Sequence, residues 1–438
     1  MEVTYEKHTL DNGLDVIVHE DHGCPIVAVN LWYHVGSKNE RPGLTGFAHL
    51  FEHLMFEGSS HHDRGYFYPL QEAGGVLNGS TNSDRTNYWE VVPTNAVERA
   101  LWMESDRMGY LLPALTQQKF DTQREVVLNE RRQNYENRPY GLAMMALMAT
   151  LFPPRHPYHW MPIGSPDDLR EVSLDQAREF FATYYHPSNA SLTLAGDIDT
   201  DWAHELAGRY FGEILAGPPP PLVTTPEVLA AGAARRLLLE DRVELPRLYL
   251  TWRTPALFAP GDAALDLLSE ILAGGKASRL HRRLVHDRRI AIDVHASQAS
   301  RERAGVFSIV ATAAPGHALS ELEAVVQEEL TTMAANGPTR DEVVRGKSTV
   351  EADFAYRLQN VGGFGGKSDQ LNAYNVFVGE PGYFSSDLAR YAGLDGAAIV
   401  ASATAHLCAN EQVALSVVPR GQASSLALPD STRVEGTA

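Results

Sequence analysis

Two histidines and a glutamate sit close together in Gly46-Phe47-Ala48-His49-Leu50-Phe51-Glu52-His53-Leu54-Met55-Phe56, within a chain of 438 residues. On a helix turning about 100° per residue, His49, Glu52 and His53 fall within an arc about 100° wide. Phe47, Leu50, Phe51, Leu54 and Met55 fill the rest of the circumference, so one face is apolar and the other carries two imidazoles and a carboxylate. Histidines four apart on a helix can reach one tetrahedral ion such as zinc. The order His-x-x-Glu-His reverses the H-E-x-x-H arrangement. A reactive site of this type takes a third protein ligand and leaves a fourth position for water. The candidate is Glu130, in Gln123-Arg124-Glu125-Val126-Val127-Leu128-Asn129-Glu130-Arg131-Arg132. It fits a second helix whose Val126 and Val127 face inward, with Arg131 and Arg132 able to orient or balance it. Glu52 lies on the same face as the ligand pair, one position off it, where a carboxylate can act as general base on a water.

Other chemistry-bearing residues read more plainly. His61-His62 and His156-Pro157-Tyr158-His159 are loop or packing histidines. Val361-Gly362-Gly363-Phe364-Gly365-Gly366-Lys367-Ser368 resembles a phosphate loop, but the first Gly of that motif would have to be residue 361, which is Val. The preceding Ala352–Gln359 reads helical rather than as a strand, so the glycines are taken as a hinge or substrate-facing loop. Cys24 and Cys408 lie too far apart for a local metal pair and allow at most one disulfide. With 37 basic and 55 acidic residues the net charge is −18, which disfavours phosphate backbones and so nucleic acid. Residues 1–217 carry 30 acidic against 16 basic side chains, so the acidity falls mainly on the half with the histidines. No apolar run reaches the roughly 18 residues a membrane helix needs. The start Met1-Glu2-Val3-Thr4-Tyr5-Glu6-Lys7 has no basic-then-apolar leader, which points to the cytoplasm, or to the periplasm if a leader precedes this sequence.

The elements that must position these residues come in two similar series. The segment Gly217-Pro218-Pro219-Pro220-Pro221 opens a stiff linker, taken as 218–234, between domains at 1–217 and 235–438. The first half runs strands at 13–18 and 26–33, a helical stretch, strands within 76–92 and a helix at 94–108. The second runs strands at 236–240 and 247–252, a helix near 261–272, strands near 290–298 and 305–313, and a helix at 318–334. The expected fold class is α+β, two tandem homologous domains with mostly antiparallel sheets.

These residues resemble the pitrilysin/insulysin (insulinase) family of zinc metallopeptidases, in its half-length branch with the mitochondrial processing peptidase β subunit and bacterial relatives. That family's pattern is H-x-x-E-H, then 76 residues, then Glu, and here residues 54–129 separate His53 from Glu130. Asn12-Gly13-Leu14, Gly43-Leu44-Thr45-Gly46, Leu77-Asn78-Gly79-Ser80-Thr81, Tyr185-His186-Pro187-Ser188-Asn189-Ala190 and Gly274-Gly275-Lys276-Ala277-Ser278-Arg279-Leu280 extend the likeness. The resemblance implies one Zn2+ per chain on His49, His53 and Glu130. It implies endopeptidase action on short or unfolded peptides, with Glu52 as base. It implies an edge strand at Asn78 and Gly79 that receives the peptide, with Gly79 where Ala is usual and leaving more room for a close backbone approach. A carbonyl clamp from the opposite domain is assigned to Tyr374 and Lys367, with Lys where Arg is usual. Gln123 stands where a helper Glu is common, beyond the ligands themselves. Phe56 either lines a side-chain pocket or packs in the core. The two domains would form half of a clam-like chamber, closed by a second copy or by a related subunit. The alternative is a catalytically silent scaffold subunit of the same fold. The acidic first half leads to the expectation that the chamber favours peptides with basic residues.

Overall fold

The computed structural model describes residues 3–226, 235–408 and 411–434. Of the linker taken as 218–234, residues 218–226 have no regular secondary structure and 227–234 lie outside the described residues.

The β-branched and aromatic runs form strands, as their preference for a pleated, buried surface dictates. The first sheet contains β1 (Glu6–Thr9), β2 (Asp15–Glu20), β3 (Ile26–Tyr33), β4 (Val76–Thr81), β5 (Thr86–Pro93) and β6 (Ala190–Gly196). Their order is β1-β2-β6-β3-β5-β4. The second sheet contains β7 (Arg235–Asp241), β8 (Arg247–Thr254), β9 (Ala291–Ala299), β10 (Gly305–Ala313), β11 (Val413–Pro419) and β12 (Thr432–Arg433), in the order β12-β7-β11-β8-β10-β9. The correspondence is strand for strand beyond the first edge. In each sheet the second pairing, β2 with β6 and β7 with β11, is parallel, and the next three are antiparallel, while the first is antiparallel for β1 with β2 and parallel for β12 with β7. The chain is therefore α+β, and the same sheet occurs twice.

Between β3 and β6 the chain forms the helices α1 (Phe47–Leu54), α2 (Phe67–Glu72), α3 (Val97–Ala114), α4 (Gln117–Arg131) and α5 (Ala143–Leu151). The apolar side of α1 is spent as its pattern dictates, with Phe47, Leu50, Phe51 and Leu54 all buried. Each such side chain contributes about 1.5–3 kcal/mol through burial. On α4 the pattern misleads at one position: Val127 is buried but Val126 is exposed, because helical rotation turns neighbours about 100° apart.

Compactness divides the chain into two units that interleave in sequence. One gathers Met1–Asn129, Met161–Thr224 and Asp353–Asp387; the other gathers Glu130–Trp160, Thr225–Ala352 and Leu388–Ala438. The first unit thus takes a helix, Lys367–Val378, from late in the sequence. That helix packs on β3 and β6. The second takes α5, which packs on β8 and β11. Its core joins Leu248, Leu250 and Trp252 to Leu265, Leu268 and Phe307, among others. Cys24 and Cys408 are both free thiols, so the single possible disulfide is not formed.

Candidate metal centre

Helix α1 begins at Gly46, whose φ of +92° suits glycine and whose lack of a side chain leaves the first turn without its own cap. Glu40 supplies one from outside. Its buried carboxylate accepts from the backbone N–H of Gly46 (3.0 Å) and of Ala48 (2.9 Å). Asp168 accepts from the N–H (2.8 Å) and hydroxyl (2.7 Å) of Thr45, just before the helix. Negative charge at this end also suits the helix dipole. Gly46 and Gly164 pack back to back, and a Cβ on Gly164 would lie 2.4 Å from the Gly46 Cα. The helix carrying the imidazoles is thus fixed at its start by two carboxylates and a glycine contact.

His49, His53 and Glu130 each offer one ligand atom, and the three atoms lie within 4.8 Å of one another. All three side chains are partly accessible, as a reactive centre requires. Two imidazoles and a carboxylate are a donor set suited to a tetrahedral zinc ion with a fourth position open. The boundary between the compact units falls inside α4, after Asn129, so Glu130 rides on a helix whose preceding residues belong to the unit of α1. Beyond Glu130 the backbone widens into a π-helical turn, Arg132–Glu136, and Asn134 donates from Nδ2 to the Glu130 carboxylate at 3.2 Å. Gln123 donates from Nε2 to Glu57 at 2.6 Å, just beyond α1. Arg131 is buried and paired with Glu136 at 3.1 Å. Glu52 is partly buried on α1.

Beside α1 runs β4, the outer strand of its sheet. Asn82 N–H bonds the carbonyl of Arg85 across the β4–β5 turn (3.0 Å), which sets the alternation of the antiparallel ladder. Val76, Asn78 and Ser80 then turn their backbone groups toward β5, whereas Leu77, Gly79 and Thr81 turn theirs to the open edge. The Gly79 N–H, left without a strand partner, is taken by the Asn78 side chain at 2.8 Å. Gly79 has a packing reason that the sequence did not reveal. A Cβ there would meet Phe56 and Tyr88 at 3.1 Å, so the missing side chain makes room for those rings. Phe56 is half-buried among Tyr66, Phe67 and Tyr88.

Lys367 and Tyr374, expected to form a carbonyl clamp, lie on the helix Lys367–Val378. Their helix docks on the face of the first sheet opposite α1. Asn30, Trp32 and Asn87 point to its Asp369, while the alternate residues Tyr33 and Tyr88 point to the α1 side. Lys367 is paired with Asp21 at 2.6 Å. Tyr374 is only 3% exposed and donates its hydroxyl to Asp387 at 2.8 Å. Both belong to the same compact unit as α1, not to an opposing one. Histidines outside the metal centre are engaged in packing and hydrogen bonds. His61 bonds Asp106 at 2.5 Å, and buried His156, held down to about 4 by burial, accepts the Tyr158 N–H at Nδ1.

Sequence reasoning missed Glu40, Asp168 and Asn134. A signal existed for the first: a glycine at the start of a ligand-bearing helix demands a capping group from elsewhere.

A sheet that occurs twice and a reversed His-x-x-Glu-His helix define a peptidase-type fold whose profiles also match this chain. Residues 15–156 match the Insulinase (Peptidase family M16) profile, and residues 171–350 match the Peptidase M16 inactive domain. The chain is 31% identical over 360 residues to "Zinc protease PqqE" of Helicobacter pylori, covering 81% of this chain and 80% of that one. The chain belongs to the insulinase (M16) family. "Uncharacterized zinc protease YmxG" of Bacillus subtilis is 22% identical over 356 residues, covering 81% and 85%. The crystal structure of a protease from Helicobacter pylori superposes with a TM-score of 0.88 at 27% identity, covering 96% of this chain and all of that one. The periplasmic protease PqqL from Escherichia coli shares the fold (TM-score 0.80, 19% identity), with 98% of this chain matching 49% of that chain. Among the described residues no helix is long and apolar enough to cross a membrane.

Proposed function

We propose that this chain is a zinc-dependent endopeptidase acting on short or unfolded peptides. The observation that carries the reading is the convergence of His49, His53 and Glu130 within 4.8 Å. His49, His53 and Glu130 would hold zinc, which would supply Lewis acidity toward the scissile carbonyl and an activated water. Glu52 would accept a proton on its carboxylate and pass it to the leaving amine. Glu40 and Asp168 hold the helix that aims Glu52, and Asn134 and Gln123 steady α4. The peptide adds as a strand along β4 and pairs with the outward groups of Leu77, Gly79 and Thr81, displacing the Asn78 side chain from the Gly79 amide. Asn78 is then free to meet the substrate. The acidity of the first half of the chain supports a preference for Lys or Arg near the cut.

Purified protein is expected to hold one equivalent of zinc by metal analysis. Glu52→Gln should keep that zinc and lose hydrolysis of a peptide library by at least about two orders of magnitude, since a general base contributes roughly 10²–10⁴. Activity without zinc, or full activity in Glu52→Gln, would sink the mechanism. The same library tests the charge preference, which no enrichment for basic residues removes. The match of residues 171–350 to a domain described as inactive favours a second reading, a silent scaffold subunit. Zinc-loaded protein inert on every peptide would support it. For assembly we propose a homodimer, with a related subunit as the other partner to test. Solution mass of the chain alone decides between them.

A further inference from the structure

Arg85 lies in the β4–β5 turn and reaches back along the strand. Its Nη1 donates to the Ser80 carbonyl at 2.7 Å and to the Ser80 hydroxyl at 2.5 Å. The Ser80 hydroxyl donates to Asn87 on β5 at 2.7 Å, so strand, turn and neighbouring strand are tied together. The guanidinium lies over the Trp32 ring at 5.1 Å, and Trp32 in turn donates to Asp369 at 2.8 Å. Three carboxylates act on this cation: Asp369, Glu52 and Asp84. Its Nε is buried without a hydrogen-bond partner. Burying a guanidinium is costly, and a buried donor left unpaired adds to that cost, so the arrangement needs a return elsewhere.

We propose that Arg85 is a positioning residue that holds β4 in register for an incoming peptide. The inference rests on the reading of β4 as the peptide-receiving strand. An outer strand is bonded on one side only and frays at its end unless something holds it. Arg85 grips Ser80 from the ladder side, leaving the outward groups of Gly79 and Thr81 clear on either side of it. A planar guanidinium held over the Trp32 ring suits this task, because its Nη1 reaches both the carbonyl and the hydroxyl of Ser80.

Three measurements test this. Arg85→Ala should raise KM about tenfold, the equivalent of one lost charged hydrogen bond, while kcat changes less and zinc stays at one equivalent. In the Glu52→Gln background, binding of a fluorescent peptide should weaken by a similar factor. Arg85→Lys should recover part of both losses, because an ammonium reaches Ser80 without the planar group. Unchanged KM and unchanged peptide affinity overturn the proposal. So does a parallel fall in folded fraction and zinc content with KM intact, since that marks a role in stability alone. If zinc-loaded Glu52→Gln binds no peptide with Arg85 in place, the β4 reading fails and takes this inference with it.

Discussion

Arg107, on α3, is buried with its guanidinium stacked between the rings of Tyr66 and Tyr88, 4.0 Å from each, and 5.5 Å from Phe56. It donates from Nε to Glu104 at 2.8 Å and makes a second bond to the same carboxylate, and Glu90 lies 3.8 Å away. One cation cannot hold two buried anions. Desolvation, with the charge of Glu104 beside it, raises the Glu90 carboxyl well above its usual value. Unfolded, Glu90 ionises above about pH 4.5. From there the folded state holds this proton more tightly than the unfolded chain, so the group lowers stability as pH rises. Glu90→Gln should cost less than about 1 kcal/mol and flatten that pH dependence in denaturant titrations, because an amide mimics the protonated acid. Glu104→Gln should cost about 3 kcal/mol, since it removes the counter-ion of a buried charge. Equal costs for the two would reject the assignment. None of this cluster was visible in the sequence, where Glu90, Glu104 and Arg107 look like ordinary surface charges. Only the fold shows that they share a buried site behind Gly79 and Phe56.

The helix Lys367–Val378 shows how an element with little amphipathic pattern finds its place. It docks through polar side chains. Asp369 accepts from Trp32, Asn87 and Gly365, Asn372 accepts from Ser191 and Thr193 and donates to Asn30, and Asn375 donates to Asp15 and Ser191. These are residues three apart on one helix face, each meeting a polar row of the sheet. Such an interface tolerates one register, because any shift leaves buried donors unpaired. Asp369→Ala should destabilise by roughly 2–4 kcal/mol, as it strands the Trp32 and Asn87 donors, whereas Asp369→Asn retains part of the acceptor set. Thermal unfolding separates these two outcomes, and equal stability for wild type and Asp369→Ala would refute the account. The elements legible in advance were those with local signals: β3 from its apolar run, α1 from its period, β8, β9 and β10 from theirs. No local pattern encodes the docking of the helix Lys367–Val378, because its partners on β2, β3, β5 and β6 lie 179 to 360 residues away in sequence. The metal-binding geometry was legible because two of its three residues share one helix. Arg85, Glu40 and Asp168 act across turns and elements, and only distances reveal them.

At the scale of the molecule, the duplicated sheet was legible and the exchange of segments was not. A proline-rich linker suggests two domains laid end to end, yet the unit that holds α1 includes residues 353–387, and the other includes 130–160. A fragment of residues 1–217 therefore lacks the cover for Asn30, Asn87, Ser191 and Thr193, all of which are buried in the complete chain. It is expected to be unstable or aggregated by circular dichroism and light scattering. A cooperatively folded fragment 1–217 would contradict that expectation. The exchange of segments also bears on synthesis. A ribosome working at about 5–20 residues per second has made His49, His53 and Glu130 well before it makes Asp369, and domains that fold as the chain emerges must wait for their last piece. The histidine helix thus exists for many seconds on a nascent chain that still lacks residues 353–387 of its unit. The sheet becomes complete only when nearly the whole protein is made, a built-in delay between making the histidine helix and setting it into a finished fold.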